Sequence, residues 1–242
     1  MNKDLRIFKT IISHKIRITG NKTELFNESD KSDPSVTKLT EQEIVKWIFD
    51  NHGIRDLIIE EIYSLSDKDL SIKLGVKEPL LNKDEQKIIG DIDVVIIPKN
   101  NPEKTIIIEF KRVKVSTLID KSVKVNKIST IRKKGFSQIK KLRKFNYHKT
   151  YLGVIIEDDT RNVKSANTIL RSSKNKVINS IFNINSDKTL ENKAGLFFIK
   201  LTQPTGESFE IRYNLGITIE KEAAEIIQEK YITERVKELL KK

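Results

Sequence analysis

Cysteine is absent from the 242-residue chain. Disulfides, thiolate metal sites and cysteine nucleophiles are therefore excluded, and nothing points to secretion. Long apolar runs are missing too. No stretch approaches the ~20 residues that span a bilayer, and the opening MNKDLRIFKT has no apolar core for a secretory signal. No Walker A phosphate loop occurs, which argues against ATP hydrolysis. The histidines, His14, His52 and His148, are scattered without metal-ligand spacing. Repeats and low-complexity tracts are lacking. The expectation is a soluble, cytoplasmic protein with no membrane partner.

Basic charge is plentiful. The net charge is +12, with 36 lysines and only 10 arginines. Lysine-rich surfaces are often merely solvated, so position matters more than total. From Lys111 to Lys149 there are 14 basic residues and one acid, Asp120. That block carries the whole excess. A concentrated basic surface suits a polyanion, with binding that weakens steeply in salt. The scarcity of arginine disfavours extensive guanine readout.

Residues 1–20 fit strand or helix, and residues 21–39 read as loop. Thr40 and Glu43 form a capping box ahead of the apolar stripe Ile44, Trp47 and Ile48, so a helix starts there. Gly53 reads as its stop, with a second helix over 54–65. Residues 66–87 read as loop with short structure. Two strands follow, 88–97 (IIGDIDVVII) and 104–113 (KTIIIEFKRV), joined by the turn PKNNPE. Then come a basic connector over 114–130, a helix near 131–146 and a buried strand over 150–156. A strand pair over 194–201 and 208–215 precedes an amphipathic helix from Thr218 to Lys242, whose stripe includes Ala223, Ile226 and Ile227.

The hairpin carries the chemistry. Side chains alternate between the faces of a strand. Placing Ile92, Val94 and Ile96 with Ile106, Ile108 and Phe110 on one buried face fixes the register, with Ile97 opposite Thr105 and Asp93 opposite Glu109. Asp91, Asp93, Glu109 and Lys111 then share the other face. Crowded carboxylates raise one another's pKa, and a divalent cation relieves the conflict. Oxygen-only ligands suit Mg²⁺, with Mn²⁺ also expected to serve. Such a cation lowers the pKa of a bound water and binds phosphate oxygens, while Lys111 can orient the water or meet developing negative charge. The plainer alternative is a Glu109–Lys111 ion pair on a sheet surface, which leaves the pairing of Asp91 and Asp93 unexplained.

Gly90-Asp91-Ile92-Asp93 followed sixteen residues after Asp93 by Glu109-Phe110-Lys111 resembles the PD-(D/E)xK nuclease superfamily. No proline precedes Asp93, a departure from the pattern that names the group. The resemblance covers residues 40–156. It implies an α/β, restriction-endonuclease-like core, a central mixed β-sheet flanked by helices. Residues 1–39 would be an N-terminal extension, and 157–242 would complete the same domain. It further implies that Asp93 and Glu109 are metal ligands, with Asp91 an additional one, and that Lys111 is the catalytic lysine. Gln138 on the following helix matches a glutamine that some members carry near the metal. Many members add an acid from the first core helix. Glu41, Glu43 and Glu60 are all open for that role, with Glu43 better explained as the capping partner of Thr40.

The expected function is metal-dependent hydrolysis of phosphodiester bonds, with DNA as substrate. Lys114, Arg132, Lys133, Lys134, Lys140, Lys141, Arg143 and Lys144 would hold its backbone. Dimeric relatives make a homodimer an allowed arrangement by analogy. The alternative is a nucleic-acid-binding protein on the same fold that does not cleave.

Overall fold

The computed structural model describes residues 40–50, 52–63, 69–76, 91–117, 123–126, 131–159, 193–203 and 214–241. The expectations for residues 1–39 and 160–192, and for Gly90, lie outside them.

Thr40 starts the first helix, α1 (Glu41–Asp50), through the expected capping box. The Thr40 N–H donates to Glu43 Oε2 at 2.6 Å and the Glu43 N–H donates to Thr40 Oγ1 at 3.2 Å. α2 (His52–Tyr63) follows at once. Gly53 therefore lies in the first turn of α2 and does not terminate α1.

The described strands form one seven-stranded mixed sheet. They are β1 (Leu70–Val76), β2 (Ile92–Pro98), β3 (Ile106–Thr117), β4 (Val123–Asn126), β5 (Lys149–Asp159), β6 (Gly195–Gln203) and β7 (Asn214–Lys221). The order is β1-β2-β3-β5-β6-β7, with β4 also pairing β3. β3 runs antiparallel to β2 and parallel to β5. The crossover between the parallel pair contains a π-helical turn (Ile131–Gly135) and α3 (Phe136–Leu142). β7 leads through an extended connector to α4 (Lys230–Leu240). Helices cover both faces of an α/β sheet.

The hairpin register is the expected one: Val94 faces Ile108, Val95 faces Ile107 and Ile96 faces Ile106. A one-residue slip would bury acids among isoleucines, which is why the pattern specifies it. Val94, Ile96, Ile106, Ile108 and Phe110 pack with Ile44, Ile48, Ile54 and Ile58 of α1 and α2. Ile92 departs from that grouping. It joins the opposite cluster, with Val76, Val95, Ile97 and Ile107, together with Ile232 and Val236 of α4. The β2–β3 ladder has ended before Ile92, so the alternation no longer constrains it.

Two expectations are corrected. β3 and β4 occupy much of the supposed basic connector, while β1 is short structure of the kind expected within 66–87. The second C-terminal strand, β7, covers 214–221; of the expected 208–215, residues 208–213 lie outside the described residues and 214–215 are strand. Its partner β6 stays where expected. The terminal helix starts at Lys230, not Thr218. Ahead of it, the Ala224 N–H donates to Lys193 O and the Ile226 N–H to His148 O, so distant strands satisfy the connector's backbone. Ile227 is 94% exposed and lies off any helical stripe.

Phe110 anchors β3 from beneath the site. Its ring meets Phe49 at 6.1 Å and Phe197 at 5.8 Å, both edge-on. Gly153 on β5 makes room for it, because a Cβ there would lie 2.4 Å from the ring. Gly153→Ala is expected to cost about 2 kcal/mol through overpacking. A thermal melt should register this as a midpoint several degrees lower.

Candidate active site

β3 presents Glu109 and Lys111 on the face covered by α3 and α4. Ile107 and Val113, the residues before and after them on that face, belong to apolar clusters. The charged pair is thereby sealed: Glu109 is 2% and Lys111 6% exposed. Such burial is sustained only by partners. Lys111 Nζ donates to Glu109 Oε1 at 2.7 Å and to Phe110 O at 2.6 Å. It also reaches Glu41 Oε1 at 3.5 Å.

Strand pairing explains how the other two carboxylates arrive. β2 and β4 share one edge of β3. The β2 ladder ends at Ile108 and the β4 ladder begins at Lys114. Between them, the N–H groups of Phe110 and Arg112 face that edge with no strand opposite them among the described residues. Asp93 Oδ2 accepts the Phe110 N–H at 2.7 Å. Glu41 Oε2 accepts the Arg112 N–H at 2.7 Å. Two side chains thus fill a gap in the sheet and bring Asp93 of β2 and Glu41 of α1 to Lys111.

Of the three acids that the sequence left open, Glu41 is the one that reaches Lys111. Glu43 is taken by Thr40, and Glu60 is an exposed residue of α2. No linear signal separates Glu41 from the other two. The geometry does, because the start of α1 abuts the β3 edge.

The charge balance is strained. Burial, reinforced by the nearby Glu41 and Asp91 charges, pushes Asp93 up to about 6 despite its Phe110 hydrogen bond and Lys111. Burial and then the Asp93 charge push Glu109 up to about 7, against the pull of Lys111. For Lys111, burial works against the charge, but Glu109, Glu41 and Asp93 outweigh it and raise its pKa. More negative charge is gathered than one ammonium can compensate.

Gly135 supplies a contact that sequence reading missed. It closes the π-helical turn against the Lys111 stem, and a Cβ there would lie 3.1 Å from Lys111 Cγ and 3.4 Å from Leu152 Cδ1. Its only sequence signal was a lone glycine at the head of an amphipathic helix. Single π-helical turns often mark functional positions.

The structure brings Asp93, Glu109 and Lys111 together and adds Glu41. Asp91 is half-buried just before β2 and acts on Asp93 through its charge. Gln138 sits half-buried on α3, three residues beyond Gly135, and no hydrogen bond joins it to the carboxylates. Arg132, Lys133 and Lys134 are exposed on the π-helical turn beside Lys111. Lys140, Lys141 and Lys144 are exposed farther along. Arg143 is half-buried, with its Nε enclosed. The Lys114 backbone pairs with Asn126, and its side chain lies outside the described residues. His148 precedes the opposite end of β5, where its Nδ1 lies 3.1 Å from Ile226 O. Among the described residues no group of three or more acidic or histidine side chains is already arranged around a metal position, and no helix is long and apolar enough to cross a membrane.

No protein-family model, curated protein or solved structure matches this chain.

Proposed function

We propose that this protein is a metal-dependent nuclease of the PD-(D/E)xK type, with a restriction-endonuclease-like core, that hydrolyses phosphodiester bonds in DNA. The observation that carries the reading is the convergence of Asp93, Glu109 and Lys111 from the hairpin, joined by Glu41 from a distant helix. Ordinary surface ion pairs do not bury acids beside acids.

The residues fit a hard divalent cation. The donors are all carboxylate oxygens, and burial first, then neighbouring carboxylates, raises Asp93 and Glu109, a conflict that a cation among them would relieve. Asp93, Glu109 and Glu41 would hold Mg²⁺ or Mn²⁺, with Asp91 nearby. When bound, the cation would supply an acidified water and Lewis-acid contact to the phosphate. Lys111, positioned by Gly135 and Glu109, would orient the attacking water or face the charge that develops on phosphorus oxygens. Water adds to phosphorus, one P–O bond of the diester breaks, and the departing oxygen takes up the proton.

The basic turn beside Lys111 would grip backbone phosphates next to the scissile one. Replacing Arg132, Lys133 and Lys134 together by Gln is expected to weaken DNA binding and reduce the salt slope of log K by about 2 to 3. Binding titrations across salt concentrations measure both effects.

A second reading, binding without cleavage, draws on the closed Lys111–Glu109 pair and on the lack of a preformed metal group among the described residues. Plasmid, linear duplex and single-stranded DNA incubated with the protein in Mg²⁺, Mn²⁺ or EDTA separate the two. Cleavage confined to the metal-containing samples supports the nuclease. Salt-sensitive binding with no cleavage of any substrate favours the second reading.

A further inference from the structure

Lys111 has an unusual posture for a residue that is to act on substrate. Its ammonium points inward, within 2.7 Å of Glu109 Oε1, 2.6 Å of Phe110 O and 3.5 Å of Glu41 Oε1. Its side chain is 8% exposed, against 33% for Glu41. The ammonium therefore lies between two of the carboxylates assigned to a cation, and it satisfies them as a cation would.

We propose that Lys111 is a tethered counter-ion: its ammonium neutralises Glu109 and Glu41 in the metal-free protein, and a divalent cation enters by displacing it. The inference rests on the nuclease reading and adds to it a coupling between metal loading and release of the lysine. Two cations a few ångströms apart in a buried setting repel strongly, so both cannot stay fully engaged with Glu109. The lysine stem lies against Gly135, which carries no side chain to hold it: a Cβ there would lie 3.1 Å from Lys111 Cγ. Glu41 is held by the Arg112 N–H at 2.7 Å as well as by the lysine, so it remains anchored at the β3 edge during the exchange. The device would keep the sheet intact without metal and hold the lysine away from solvent until a cation arrives.

The test is Mn²⁺ binding by titration calorimetry on the full chain, without nucleic acid. Lys111→Met keeps the stem and removes the charge, and it is expected to bind Mn²⁺ at least about tenfold tighter than wild type. Lys111→Arg keeps the charge and is expected to stay within about threefold of wild type. Wild-type binding with equal or weaker affinity in Lys111→Met would overturn the exchange and leave the metal site standing. No Mn²⁺ binding by wild type or Lys111→Met would overturn the metal site itself, and the inference with it. Should Lys111→Met not fold, lysine side-chain NMR on wild type decides. A protected ammonium signal absent from Lys111→Arg identifies Lys111. Loss of that protection on adding Mg²⁺ supports the exchange, and protection unchanged at saturating Mg²⁺ contradicts it.

Discussion

Lys111→Met is expected to lower metal-dependent DNA cleavage by about a thousandfold or more while leaving DNA affinity within about threefold. A single preorganised group that meets developing charge is commonly worth a factor of about 10² to 10³, and one that also orients the nucleophile is worth more. Binding should survive because Lys111 is 6% exposed and the exposed cations proposed to grip phosphate lie elsewhere, on the turn at 132–134. The basic-turn variant should do the reverse, losing affinity before rate. Measuring single-turnover cleavage and equilibrium binding on both variants gives a double dissociation. A purely structural Lys111 would instead reduce both quantities together with the thermal midpoint.

Asp93→Asn is expected to stabilise the metal-free protein at pH 8 by about 2 kcal/mol and to abolish cleavage. The Asn carbonyl oxygen can still accept the Phe110 N–H that Asp93 accepts now, so the variant removes charge and keeps the sheet edge. The sign follows from linkage. Asp93 sits at about 6, above its ordinary 3.8, so between these values the folded state holds more protons than the unfolded chain. Stability therefore falls as pH rises through that window, and the penalty is complete above it. Glu109, at about 7 against 4.5, extends the decline toward neutrality. About 1.4 kcal/mol per pKa unit sets the scale. Melts of the metal-free wild type should thus fall from pH 5 to pH 8, and Asp93→Asn should fall less. Stabilisation by removal of a half-buried acid is the expected mark of a charge kept for function and not for folding.

The parts of this fold that the sequence made legible are those where local pattern and burial agree. The β2–β3 register followed from alternation, because any slip would exchange isoleucines for carboxylates. The start of α1 followed from Thr40 and Glu43, whose hydrogen bonds are local. What escaped was set by contacts between distant segments. β1 is a half-buried edge strand whose mixed pattern marks it only as short structure. The connector after β7 carries apolar residues at helical spacing, yet backbone hydrogen bonds to Lys193 and His148 hold it extended. Glu41 was one of three acids because its selection depends on where α1 meets the gap between β2 and β4. Gly135 became meaningful only once Lys111 was seen to pass over it.

The sharpest test of a metal-dependent catalytic centre at this gap is single-turnover cleavage of end-labelled DNA by wild type and Asp93→Asn. Mg²⁺ and EDTA conditions would run in parallel, with DNA binding measured on the same samples. Cleavage by wild type in Mg²⁺ alone, with Asp93→Asn silent but binding DNA equally well, is the expected result. Cleavage by Asp93→Asn at the wild-type rate would contradict the assignment and place the chemistry somewhere other than these carboxylates.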